Sequence, residues 1–120
     1  MTRRTTAFLH RLGSAAAALL LLALVAAPVL ALDEPLRLED PVTDQAGVLT
    51  AAEEVEVAAA LEQLRSDAGV QLFTAYVDTT GGEDVNTFTD GTAVTSSLGG
   101  NDALILVAIE DRTYSMWVGP

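Results

Sequence analysis

The chain is 120 residues long, room for one domain, and sets Lys+Arg 6 against Asp+Glu 17. Every basic residue is an Arg and there is no Cys, which excludes disulfides, thiolate nucleophiles and thiolate metal sites. So acidic a chain is also a poor match for nucleic acid or anionic lipid, because both require positive charge to displace counterions.

The N-terminus reads as an address. Arg3, Arg4 and Arg11 form a basic head, and Ser14 to Ala27 is almost entirely Ala and Leu. Val29-Leu30-Ala31 then places small residues at the two positions a signal peptidase reads, so residues 1–31 are expected to be a secretory signal, with Leu32 the mature N-terminus. An uncleaved membrane anchor is the alternative, the 19 residues from Ser14 to Leu32 being near the lower limit for spanning. Either way the domain is expected outside the cytoplasm. From Leu32 onward the chain holds three Arg and all 17 acids, a net charge of −14, with no His, Cys or Lys. Ser-His-Asp and Cys-His catalysis, Schiff-base chemistry, P-loop phosphate binding and ordinary zinc sites are thereby excluded. A metal, if used, would be a hard one held by oxygen.

Residues 32–41 (LDEPLRLEDP from Leu32) are acidic and proline-bounded, the pattern of a linker. Val42 to Leu49 is a short lead-in of mixed polarity. Thr50-Ala51-Ala52-Glu53 has capping-box spacing and opens a helix to about Ala68, with Val57, Ala60, Leu61, Leu64 and Ala68 on one stripe and Gly69 as the stop. Val70 to Val77 is expected to be the first strand, apolar on both faces. Residues 83–98 are expected to form a second helix lined by Val85, Phe88, Val94 and Leu98, though its Thr, Ser and Gly91 content makes it intrinsically weak. Ala103 to Ile109 is seven apolar residues without a break, a strand buried on both faces. Glu110-Asp111-Arg112 turns the chain, and Thr113 to Val118 alternates as a more exposed hairpin partner, with Trp117 expected to lack cover. The order gives an α/β fold: a layered sandwich with a small mixed β-sheet covered by helices, expected to be incomplete at the C-terminus.

If the strands at 70–77 and 103–109 are parallel, their carboxyl ends share an edge with Asp78 and Glu110-Asp111, and Asp44 should lie nearby. Ligands of open α/β sheets gather at that edge. Asp44, Asp78 and Asp111 are therefore the candidate metal ligands for a hard ion, calcium, magnesium or manganese, and together could hold calcium. Each also has an ordinary structural role open to it, as a turn or strand-ending residue. Asp102 belongs to the opposite edge and is expected to be a loop residue. Val77-Asp78-Thr79-Thr80 resembles an aspartyl-nucleophile phosphatase motif only superficially, because the second Asp is missing; Asp90-Gly91-Thr92 falls inside the second helix.

The run Val42 to Leu49 ahead of a capped helix, then Gly69-Val70-Gln71-Leu72-Phe73, Leu98-Gly99 to Asp102, Ala103 to Val107, Asp111-Arg112 and Val118-Gly119, together resemble the TPM domain over residues 42–119. That resemblance implies an α/β sandwich held outside the cytoplasm. It also implies calcium binding and acid phosphatase activity, both linked to plant members. The expected function is an interaction or accessory module of a membrane-associated bacterial protein, with protein partners at or outside the membrane, no nucleic acid and no nucleotide cofactor. A hard-metal-dependent acid phosphatase using clustered carboxylates is the alternative. The missing His and Lys weigh against it, leaving only carboxylates and Arg112.

Overall fold

The structure, a computed structural model, describes residues 34–120; the expected signal segment lies outside the described residues. Six elements follow in order: β1 (Val42–Asp44), α1 (Ala51–Ala68), β2 (Gln71–Val77), α2 (Val85–Thr95), β3 (Asp102–Ala108) and β4 (Thr113–Val118). They build one four-stranded sheet in the order β1-β2-β3-β4. The first three strands are parallel and β4 returns antiparallel to β3. The expected α/β layered fold with a small mixed sheet is what forms. The one strand sequence reading missed is β1, which lies in the lead-in to α1.

Register sorts the side chains into two faces. Val77 pairs with Ala108, Ala75 with Leu106 and Phe73 with Leu104, so these six share one face by strand alternation. With Phe88 and Ala93 of α2 they make the hydrophobic core, and Leu98 and Trp117 pack against it. Trp117, expected to be bare, is thus half-buried beside α2. The bare residues of β4 are its alternates, Tyr114 (75% exposed), Met116 (59%) and Val118 (65%).

Helix α1 begins as the spacing requires. Thr50 Oγ1 accepts from the Glu53 amide and the Glu53 carboxylate accepts from the Thr50 amide, closing the capping box; Gly69 ends the helix at φ 69°. It packs on β1 and β2 only and adds nothing to the α2-side core, so it covers the opposite face. Its stripe is less buried than expected: Leu61 is buried, whereas Leu64 stays 36% exposed. The β3–β4 half of that face has no helix on it among the described residues.

Helix α2 forms despite its composition because its polar residues are put to use. Asp84 caps it by accepting from the Asn86 and Thr87 amides, and the Thr89 hydroxyl donates to the Val85 carbonyl. Thr92 Oγ1 accepts from the Leu36 amide and Ser96 Oγ from the Leu38 amide. The acidic segment before β1 therefore docks along α2 rather than simply connecting. Leu38 is 8% exposed and joins the core cluster, with Leu36 packed against it. Two extended residues advance about 6.6 Å and four helical residues about 6 Å, which is why alternate strap amides meet an i,i+4 pair of hydroxyls. At Gly91 the Pro35 ring approaches so closely that a Cβ would lie 2.8 Å from its Cγ.

Candidate functional site at the carboxyl edge of the sheet

Because β1, β2 and β3 are parallel, Asp44, Val77 and Ala108 end on one edge. The loops after them carry the three candidate ligands. Asp44 closes β1 with its carboxylate turned to the chain ahead: Oδ1 accepts from the Val48 amide at 3.1 Å and Oδ2 from the Leu49 amide at 2.8 Å. It shapes the turn into α1, the ordinary role for an Asp at such a place.

Asp111 sits in the β3–β4 turn and ties that turn to the loop after β2. Its carboxylate accepts from the Thr79 hydroxyl at 2.9 and 3.0 Å, from the Thr80 amide at 2.8 Å and from the Thr80 hydroxyl at 3.3 Å. Backbone bonds run alongside, the Ile109 amide donating to the Val77 carbonyl and the Glu110 amide to the Asp78 carbonyl. Donation from the Thr80 amide, then from the Thr79 hydroxyl, holds the Asp111 carboxyl below its usual pKa, since both favour the charged form. Arg112 follows at φ 54°, in the left-handed region where the turn closes into β4.

Asp78 is placed differently. It lines a half-open cavity of about 230 Å³ together with Glu34, Leu36, Gln45, Val77, Thr79 and Phe88. The strap supplies one wall, the β1–α1 loop another, and Phe88 belongs to the buried core. Sequence reading placed Asp78 at this edge but not Glu34 or Gln45. The Leu36/Leu38 alternation in the presumed linker was the signal that could have brought Glu34 in.

The expected calcium cage is not assembled in this conformation. Asp44, Asp78 and Asp111 share the edge, yet among the described residues no three acidic side chains lie close enough to hold one ion. Two of the three already satisfy backbone amides, and a hard cation needs six or more oxygens converging on a point. The donor set does not fit calcium as it stands. Asp102, expected to be a loop residue on the opposite edge, is instead the first residue of β3; its carboxylate accepts from the Gly99 amide at 2.6 Å and so braces the loop that leads into the strand. Among the described residues no helix is long and apolar enough to cross a membrane.

Comparison with known proteins agrees with this architecture. A family model described as the TPM domain matches residues 42–120. Two Mycobacterium tuberculosis proteins, both named UPF0603 proteins, are 39% identical over 84 residues, 70% of this chain. The chain spans only 13% of those relatives' length. Among solved structures, the N-terminal domain of a protein from P. gingivalis superposes with a TM-score of 0.63 at 25% identity, covering 66% of this chain and 53% of that one. The N-terminal domain of a Corynebacterium glutamicum protein gives 0.61 at 27% identity, covering 78% and 62%.

Proposed function

The chain belongs to the TPM domain family, and from that premise we propose that it is a protein-interaction module of an exported, membrane-associated protein. The observation that carries the reading is the half of the sheet that no helix covers among the described residues. Tyr114, Met116 and Val118 stand exposed on β4, and Ile105 and Val107 of β3 share their face through the pairs Ile105–Met116 and Val107–Tyr114. Two strands about 4.8 Å apart beside α1 leave the width of one helix, roughly 10 Å. An apolar patch of that kind marks a contact surface.

Charge selects the occupant. The domain from Leu32 onward carries −14, so a second copy is repelled. A partner helix with an apolar face and Lys/Arg flanks is attracted, gaining on-rate and specificity. Export rests on the basic head, apolar run and Val29-Leu30-Ala31 triplet of the sequence. The alternative, a metal-dependent acid phosphatase, has the shared edge of Asp44, Asp78 and Asp111 in its favour. Against it stand the engagement of Asp44 and Asp111 by backbone amides and the lack of His or Lys from Leu32 onward.

The test uses a synthetic amphipathic helix of Leu and Lys, followed by amide chemical shifts. Shifts confined to 105, 107, 114, 116 and 118, weakened by salt and by Met116→Glu about tenfold or more, are expected. Equal binding by a Leu/Glu helix, or shifts centred elsewhere, overturns the reading.

A further inference from the structure

We propose that residues 34–38 are a latch: a segment that leaves the groove on α2 as one unit and, in leaving, opens the carboxyl-edge cavity to solvent.

The groove is built for an extended chain. Thr92 and Ser96 accept backbone amides, Leu36 at 3.2 Å and Leu38 at 2.9 Å, and the Ser96 hydroxyl also donates to the Leu36 carbonyl at 3.4 Å. Gly91 is kept free of a side chain where Pro35 crosses, since a Cβ there would lie 3.2 Å from the Pro35 Cβ and 2.8 Å from its Cγ. Apolar anchoring comes from Leu38, in the core cluster, and Leu36, packed against it. These contacts are regularly spaced, so the segment behaves as a unit.

They are also few. The described strap bonds to α2 only through those two hydroxyls, and its exposed residues Glu34 and Arg37 make no ion pair among the described residues. β2 and β3, by contrast, are paired along seven residues. Segments held by so little open locally well below the free energy of global unfolding. The next backbone bond after the strap is that of the Pro41 carbonyl, which accepts from the Thr74 amide at 2.8 Å. It pins the chain at β1 and leaves Glu39-Asp40 as the hinge.

Opening has a defined consequence. Glu34 and Leu36 form one wall of the cavity whose remaining lining is Gln45, Val77, Asp78, Thr79 and Phe88. Val77 is 3% exposed and Phe88 1% exposed with the strap in place. Lifting the strap bares both, so access to that edge depends on the segment directly preceding the domain. Whatever pulls on the chain before Glu34 acts on this cavity through the latch.

The experiment is native-state hydrogen exchange on the full chain. The Leu36 and Leu38 amides are expected to exchange with one shared rate, faster than the Phe88 amide and with weaker urea dependence. Thr92→Val should speed both together by about five- to tenfold, the worth of one hydrogen bond. Because the chain has no Cys, a Pro35→Cys/Gly91→Cys pair can lock the strap. Its Cβ separation of about 3.2 Å is a few tenths of an ångström under the disulfide range, so the strap moves slightly outward to close the bond. Oxidation should slow both amides to the rate of the core, and reduction should restore them. A single Val77→Cys chain should react with a thiol reagent at the latch-opening rate. Exchange of Leu36 and Leu38 only through global unfolding, independent rates for the two, or Val77→Cys labelling unrelated to them overturns the proposal.

Discussion

Replacing Gly91 with Ala puts two known effects in opposition, and the geometry decides between them. Gly in a helix interior costs about 1 kcal/mol relative to Ala, so on propensity alone Gly91→Ala stabilises α2. The added Cβ, however, meets Pro35 Cγ at 2.8 Å and Cβ at 3.2 Å, and a proline ring cannot swing aside. The strap must shift instead. That loosens the Leu36 and Leu38 hydrogen bonds to Thr92 and Ser96, about 1 kcal/mol each, and part of the burial of Leu38, which is roughly 1.5–3 kcal/mol in full. The expected net loss is about 1–3 kcal/mol, read as a lower urea midpoint at unchanged slope. Pro35→Gly removes the obstructing ring. In that background Gly91→Ala should become neutral or stabilising by up to about 1 kcal/mol, giving a coupling of opposite sign to the single variant. A Gly91→Ala chain more stable than the parent, with Pro35 present, refutes the close approach and with it the docked strap.

Ser97 occupies the left-handed position after α2 at φ 55°, where the Leu98 amide reaches the Ala93 carbonyl and Gly is the usual occupant. Ser97→Gly should raise stability by about 0.5–1 kcal/mol in a urea melt, and a loss would contradict the assignment. The depressed pKa of Asp111 means the unfolded state takes up its proton first. Its stabilising effect is therefore complete above the ordinary Asp range and lost as pH falls through the lower folded value. Thr79→Val should bring that carboxyl back toward the usual value in an NMR titration, and an unchanged value would show that the hydroxyl contributes nothing. Calcium titrated calorimetrically should reveal no site tighter than roughly 10⁻⁴ M. A tight site weakened by Asp44→Asn, Asp78→Asn and Asp111→Asn together would mean that the edge reorganises around the ion.

Local signals were legible and distant ones were not. The run Ala103 to Ile109 and the alternation after Arg112 announced the hairpin, and Thr50 with Glu53 announced α1, because each pattern is complete within a few residues. β1 is only three residues long and carries no apolar run, so its strand character comes from pairing with Thr74 to Tyr76. The strap was hidden for a related reason. Leu36 and Leu38 alternate with Arg37 and Glu39 inside an acidic, proline-bounded stretch, and their partners Thr92 and Ser96 lie more than 50 residues on. Those same hydroxyls looked like defects in α2 until the strap supplied amides for them to accept. Topology alone brought Asp44, Asp78 and Asp111 to one edge. Whether their carboxylates converge is set by loop conformation, and the amides of Val48, Leu49 and Thr80 claim two of them. The choice between Trp117 and Tyr114, Met116 and Val118 as the covered set turned on which side of the sheet α2 occupies, which alternation cannot reveal.

Recognition without turnover is tested most directly by assaying the purified chain on a generic aryl phosphate with calcium, magnesium and manganese in turn. Hydrolysis at the level of the metal alone, unchanged in Asp78→Asn, is the predicted result. Metal-dependent turnover abolished by Asp78→Asn, with folding intact, would contradict an interaction module and make the carboxyl edge an active site.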